Sequence, residues 1–136
     1  MTTPLVEPLY VADTNALLWY LTNDKKLSKP AQAIFAAAER GETRLYISVI
    51  SLAELYYINQ RWHHFPDFGQ TWSDLQSRPY FRFVPFRPND VMGFGQVANV
   101  PEMHDRIIAD LARRLNAPLL TSDPLIAGAN VVKIVW

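Results

Sequence analysis

The sequence predicts an α/β fold in which helices cover both faces of a mostly parallel sheet of four to five strands. Short apolar runs alternate with helical patterns along all 136 residues. Such alternation favours a parallel sheet, because each strand is followed by a crossover that returns to the same end of the sheet. No repeat, low-complexity stretch or linker interrupts the pattern, so we predict a single domain over residues 1–136.

The strands are predicted from short apolar segments with β-branched and aromatic members. The first, Leu9 to Ala12, stops at Asp13, and the second, Arg44 to Val49, reads as fully buried. Leu119 to Thr121 follows the helix-ending sequence Asn116-Ala117-Pro118. The predicted strands cover residues 9–12, 44–49, 81–85, 119–121 and 131–135.

The helices are predicted from apolar periodicity and from residues that start or stop a helix. Pro30 suits a first helical turn preceded by Ser28 or Lys29, and Gly41 is a plausible C-terminal stop. Gly93 and Gly95 weaken the helical pattern in which they lie. The predicted helices cover residues 14–21, 31–40, a segment that begins near 48 or 51, 67–76, 89–98 and 103–115.

Composition excludes several classes of protein. Hydrophobic residues make up 49% and charged residues 19%, which excludes general disorder. The chain has no cysteine, which excludes disulfides and thiolate metal sites and fits a reducing compartment. Residues 1–8 lack the basic and apolar regions of a signal peptide, so we expect a cytoplasmic protein. The 13 basic and 13 acidic residues cancel, which argues against a tight binder of duplex nucleic acid.

Four acidic residues lie where predicted elements begin or end: Asp13, Glu54, Asp105 and Asp123. Asp13 and Asp123 each follow a predicted strand directly or within three residues. Ligands of parallel α/β sheets bind beyond the carboxyl ends of the strands, so these two side chains are expected at one edge. Carboxylates that are brought together repel each other, and a nearby cation relieves that repulsion.

Each of these acids also has a purely structural interpretation. Asp13 is a favoured N-cap for the helix that starts at Thr14, and Asp123 before Pro124 is a common turn signal. Ser51 and Glu54 have the spacing of a capping box. Asp105 suits the positive end of a helix dipole. Their joint placement at one edge of the sheet is what favours a shared site.

Oxygen ligands prefer hard cations such as Mg²⁺ or Mn²⁺. One or two such ions can activate a water molecule and stabilise the leaving oxygen in phosphodiester cleavage. We therefore predict a divalent-metal site formed by the four acids. Asn15, Thr121 and Ser122 are predicted to support it by orienting ligands or water molecules.

Four segments together resemble a PIN domain, and most closely the VapC-type toxins of toxin–antitoxin pairs. They are Val11-Ala12-Asp13-Thr14-Asn15-Ala16, Ser51-Leu52-Ala53-Glu54-Leu55, His104-Asp105-Arg106-Ile107-Ile108-Ala109 and Leu120-Thr121-Ser122-Asp123. The resemblance implies a three-layer α/β/α sandwich and an endoribonuclease that depends on Mg²⁺ or Mn²⁺. It also implies that the four acids are catalytic metal ligands, that Thr121 and Asn15 support them, that the chain forms a homodimer, and that a cognate antitoxin inhibits it.

The chain departs from the family pattern at Asp110, where a small apolar residue is usual; we expect this carboxylate on a different helix face, exposed to solvent. Residues 61–100 match no motif, and the exposed aromatics near Trp62 and Trp72 are candidates for a dimer interface. Side chains of adjacent His63 and His64 diverge, so a metal site there is disfavoured. The candidates for steering an RNA backbone are Arg61, Arg82 and Arg106.

Two other functions are compatible with acids at strand ends. One is a non-catalytic module of the same fold that binds RNA or supports an assembly; the presence of all four acids argues against it. The other is a phosphotransfer receiver, which needs an acceptor aspartate on its third strand. Residues 81–85 contain no aspartate, so this alternative is disfavoured.

Overall fold

The computed structural model describes residues 8–136 and contains a five-stranded parallel sheet, as the sequence predicts. The strand order is β3-β2-β1-β4-β5, so the first strand lies at the centre. The strands are β1 (Leu9–Ala12), β2 (Arg44–Ser48), β3 (Phe81–Val84), β4 (Leu119–Leu120) and β5 (Ile134–Val135). The second, third and fourth strands each end one residue earlier than predicted, and the fifth begins three residues later. The expectation about a signal peptide concerns mostly residues 1–7, which lie outside the described residues.

Six α-helices and one long 3-10 helix connect the strands within residues 8–136. The 3-10 helix replaces the α-helix predicted for residues 89–98, where Gly93 and Gly95 disfavour the α-helix. The helix over Pro124–Ala129 was not predicted. The helices are α1 (Thr14–Leu21), α2 (Lys29–Glu39), α3 (Val49–Trp62), α4 (Phe68–Ser77), the 3-10 helix (Pro88–Val97), α5 (Met103–Leu115) and α6 (Pro124–Ala129).

Side chains that alternate along the strands build two separate cores, one on each face of the sheet. Val11 and Leu119 belong to one core, whereas their neighbours Ala12 and Leu120 belong to the other. Phe35 of α2 fills the second of these cores, and helix α5 covers the first. The two cores confirm the three-layer α/β/α arrangement.

The topology places the ends of β1 and β4 side by side. Ala12 pairs with Leu120 in parallel register, so Asp13 and Thr121 leave the sheet at the same point. The backbone N–H of Asp13 donates to the carbonyl of Leu120 (3.1 Å), which fixes this junction. Among residues 8–136, no helix is long and apolar enough to cross a lipid bilayer.

Candidate metal centre

The four predicted acids line one small cleft at the carboxyl ends of β1 and β4. The cleft has a volume of about 100 Å³. We call it the acid cleft; it is lined by Asp13, Thr14, Asn15, Glu54, Ile58, Asp105, Ile108 and Asp123. The structure therefore brings together side chains that are up to 110 positions apart in the chain (13 to 123).

Asp13 lies at the buried end of the acid cleft and is only 7% exposed. Its Oδ1 accepts the backbone N–H of Ala16 (2.8 Å), so it is the N-cap of α1. The pKa of Asp13 is raised to about 6, mainly by burial and also by the charges of Asp123 and Glu54, whereas hydrogen bonds from Thr121 and Ala16 lower it. The capping interpretation of Asp13 is confirmed, and it coexists with a place in the cleft.

Glu54 reaches the cleft from the second turn of α3 and is held by a buried hydroxyl pair. The Thr14 hydroxyl donates to Glu54 Oε1 (2.6 Å) and shares a second hydrogen bond with the Ser51 hydroxyl (2.9 Å). The capping box predicted for Ser51 and Glu54 is wrong, because α3 begins earlier, at the N-cap Ser48. Ser51 therefore lies inside the helix and is fully buried.

Asp105 lies in the first turn of α5 beside another acid, Glu102. The Glu102 side chain accepts the Asp105 backbone N–H (2.9 Å) and caps the helix. The pKa of Asp105 is raised to about 6, mainly by burial and also by the carboxylates of Glu102, Asp123, Glu54 and Asp13. His104 Nδ1 lies 3.5 Å from Glu54 Oε2, although His104 does not itself line the cleft.

Asp123 and Thr121 complete the cleft on the side of β4. Asp123 Oδ1 accepts the backbone N–H of Leu125 (2.8 Å), which makes it the N-cap of α6. Buried Thr121 accepts the Asp123 backbone N–H (3.0 Å) and also hydrogen-bonds the Asp13 side chain. One hydroxyl therefore links the two aspartates that follow neighbouring strands.

The donor set of the acid cleft fits a hard cation. Mutual repulsion contributes to the raised pKa of both Asp13 and Asp105, and a bound cation would favour their charged forms. Within residues 8–136, however, no three His, Asp or Glu side chains are arranged closely enough to hold an ion directly. Mg²⁺ commonly binds through one or two carboxylates and keeps several water molecules, so it does not require three such ligands.

A comparison with protein-family models finds the PIN domain over residues 10–129. The match covers most of the chain and includes all four acids. The chain belongs to the PIN domain family. No curated protein sequence matches it.

Several solved structures have a similar fold. VapBC2 from Rickettsia felis bound to a promoter DNA fragment has a chain with 18% identity and a TM-score of 0.69, covering 93% of this chain and 97% of that one. FitAcB from Neisseria gonorrhoeae has 20% identity and a TM-score of 0.67, covering 93% and 96%. A toxin–antitoxin complex from Klebsiella pneumoniae has 20% identity and a TM-score of 0.63, covering 90% and 94%. These similarities confirm the fold of a PIN domain.

The other two residues predicted to support the site, Asn15 and Ser122, differ in whether they line the acid cleft. Asn15 is exposed and lines the acid cleft, as expected of a residue that contacts ligands or water there. Ser122 is exposed and does not line the cleft. Sequence reasoning missed Thr14 and Ser51 as supports of Glu54, and it missed Glu102. The acid three residues before Asp105 at a helix start was the available signal for Glu102.

The expectation that Asp110 of this PIN domain is exposed to solvent is wrong. Asp110 is 1% exposed. Its Oδ1 accepts from Arg113 Nε (2.8 Å) and its Oδ2 from Arg114 Nε (3.2 Å). Gly93 of the 3-10 helix packs so closely that a Cβ there would lie 2.8 Å from Asp110 Cγ. The carboxylate is buried because two arginines pair with it and a glycine makes room for it.

The three arginines considered for RNA contacts have different environments in this PIN domain. Arg106 is bound by its own fold, since Nη2 donates to the Ala98 carbonyl (3.0 Å) and Nε to that of Val100. Arg82 donates to the carbonyls of Pro79 and Phe81. Arg61 is exposed and its guanidinium lies 5.1 Å from the ring centre of Trp62.

Proposed function

We propose that this PIN domain is an endoribonuclease dependent on Mg²⁺ or Mn²⁺, and the toxin of a type II toxin–antitoxin pair. The convergence of Asp13, Glu54, Asp105 and Asp123 in one cleft carries the proposal. A cluster of carboxylates repels a phosphodiester unless a cation intervenes, so metal dependence follows from the same geometry.

The four acids would hold the ion or ions, one or two of them directly and the others through water molecules. When bound, the ion would neutralise the cleft, activate water and stabilise the leaving oxygen. Thr121 orients Asp13 and the backbone of Asp123, while Thr14 and Ser51 orient Glu54. These hydrogen bonds fix the carboxylates before substrate arrives, which reduces the reorganisation that catalysis requires.

The proposed partners are RNA, a second copy of the chain and a cognate antitoxin. The similar fold in a toxin–antitoxin complex from Klebsiella pneumoniae supports the last of these.

The experiment compares cleavage of single-stranded and structured RNA by the wild type and by Asp13→Asn, with and without Mg²⁺ or Mn²⁺. Asparagine keeps the N-cap of α1 and removes the charge. We expect Asp13→Asn to lower the rate at least about a hundredfold. The matched control is Asp74→Asn on α4, an exposed acid outside the acid cleft, which should cleave like the wild type. Equal rates for Asp13→Asn and the wild type would refute the metal role of Asp13.

A non-catalytic RNA-binding or assembly module is the second candidate. The observation that favours it is the absence, within residues 8–136, of three acids close enough to hold an ion directly. Calorimetric titration separates the two candidates. A nuclease should bind Mn²⁺ or Mg²⁺ with a millimolar or lower dissociation constant, and a module without a working site should show no binding.

A further inference from the structure

A second depression lies beside the acid cleft, between α1 and the end of α3. Its volume is about 500 Å³, well above that of the acid cleft. We call it the α1–α3 groove. Its wall includes Trp19 and Thr22 on one side, Trp62 and His64 on the other, and Lys26 from the loop after α1.

The α1–α3 groove is continuous with the acid cleft. Asn15 and Ile58 line both of them. A polymer whose backbone crosses the acid cleft therefore has its neighbouring unit next to the groove.

Each tryptophan of the α1–α3 groove has a cationic side chain close to its ring. Lys26 Nζ lies 5.8 Å from the ring centre of Trp19, and the Arg61 guanidinium lies 5.1 Å from that of Trp62. Trp62 is 62% exposed although it is a large aromatic side chain. Proteins that bind single-stranded nucleic acid combine an aromatic surface on which bases stack with nearby positive charge.

This local charge is important because the whole chain has a formal net charge of zero. One acid, Asp24, also lines the groove, and its Oδ1 accepts the Lys26 backbone N–H (2.9 Å). Thr22, His64 and Asn15 add polar groups that can hydrogen-bond the edge of a base. A purely apolar occupant would leave these polar groups without new partners, which makes a nucleobase the better fit.

We propose that the α1–α3 groove is a nucleobase subsite for single-stranded RNA, in which Trp62 stacks on a base next to the phosphate at the acid cleft. The proposal rests on the proposed ribonuclease function and adds a position for the base beside the phosphate at the acid cleft. A base inside a duplex is already stacked and paired, so it does not enter the groove.

The test measures RNA binding separately from cleavage. All variants are made in the Asp13→Asn background, and a fluorescein-labelled 12-nucleotide RNA without self-complementarity is titrated by fluorescence anisotropy in Mg²⁺. Trp62→Leu keeps apolar bulk but removes the aromatic face, and Trp62→Phe keeps a smaller one. The matched control is Tyr57→Leu, an aromatic residue on the same helix that is 72% exposed and does not line the groove.

We expect Trp62→Leu to weaken binding of the single strand about five- to hundredfold, the range that base stacking supports. Trp62→Phe should stay close to the parent, and Tyr57→Leu should have no effect. Binding of the same sequence as a duplex should not change with any of the three. Unchanged melting temperatures will show that the variants fold.

Several results would overturn the subsite. They are parent-like binding by Trp62→Leu, equal losses for Trp62→Leu and Trp62→Phe, equal losses for Trp62→Leu and Tyr57→Leu, or an equal loss for the duplex. None of them affects cleavage by the wild type, which tests the ribonuclease function separately. Conversely, if Asp13→Asn cleaves as fast as the wild type, the ribonuclease function fails while the anisotropy series still decides whether Trp62 binds a base.

Discussion

At the scale of single residues, Asp13 is both a helix cap and a buried acid of the acid cleft, and these two roles shift its pKa in opposite directions. Its hydrogen bonds with Ala16 and Thr121 favour the charged form, whereas burial and the neighbouring acids favour the neutral form. Burial dominates, so the pKa rises from 3.8 to about 6. The folded chain therefore keeps a proton that the unfolded chain releases, and the stability gained from it is lost as the pH rises from about 4 to 6.

Because folding raises the pKa of Asp13, Asp13→Asn should stabilise the metal-free protein at pH 7.5 by about 1 to 3 kcal/mol. The gain should largely disappear near pH 4, because Asp13 is then protonated in the folded state and only partly ionised in the unfolded chain. Urea unfolding in EDTA at the two pH values measures the difference. A variant that is less stable than the wild type at pH 7.5 would contradict the role of buried charge.

The second prediction at this scale concerns Thr14. Thr14→Val keeps the side-chain shape but leaves Glu54 Oε1 and the Ser51 hydroxyl without their shared partner. We expect a loss of about 1 to 2 kcal/mol in unfolding free energy and weaker Mn²⁺ binding by calorimetry. Thr14→Ser keeps the hydroxyl and should restore the Mn²⁺ affinity. Equal Mn²⁺ affinity of Thr14→Val and the wild type would show that Glu54 does not need this support.

At the scale of elements, the sequence predicted the strands well and some local details poorly. Strands 9–12 and 44–48 follow from their apolar runs, because parallel strands are buried on both faces. Helix α6 was missed because its six residues are too few to show periodicity. The capping box at Ser51 failed for another reason: Ser48 supplied an equally good cap three residues earlier.

The candidate site, like the helices and strands, was predicted in part from the sequence. Four acids were located because strand ends and helix starts are visible in the sequence. The residues that support them were not, because Thr14 contacts Ser51 and Glu54 only where α1 packs against α3, and Thr14 is 37 and 40 positions from these two residues in the chain. Asp110 was misplaced because nothing local shows that Gly93 leaves room for it.

Packing between the 3-10 helix and α5 gives the element-scale prediction. Gly93→Ala places a methyl group 2.8 Å or less from the Asp110 carboxylate, so it should cost about 1 to 3 kcal/mol in unfolding free energy. In an Asp110→Ala background most of that cost should disappear. Gly95→Ala is the matched control in the same helix, because a Cβ there meets nothing within 4 Å. Urea unfolding of the four combinations measures the coupling, and equal costs in both backgrounds would refute the contact.

At the scale of the whole molecule, binding of a cation should be linked to folding. The unfolded chain does not gather the four acids, so an ion that binds the acid cleft stabilises the folded state. At ten times its dissociation constant, Mn²⁺ should add about 1.4 kcal/mol and raise the melting temperature by a few degrees.

This shift should be larger at pH 7.5 than at pH 5, because protons compete with the ion for Asp13 and Asp105, whose pKa values are about 6. Thermal unfolding with and without Mn²⁺ checks the prediction, and Asp13→Asn should show a reduced shift. A shift that is the same at both pH values would mean that the ion binds elsewhere.

Because Asp13 and Asp123 are also helix caps, the substituting residue determines how much folded protein an inactive variant leaves in the cell. Asparagine or serine at either position keeps the cap and removes the carboxylate, so such alleles should accumulate as abundant, well-folded and inactive protein. Leucine or valine removes both, so those alleles should be inactive and also scarce in the cell. Immunoblotting of cells that express each variant, together with the RNA-cleavage assay, would sort the two groups at these positions.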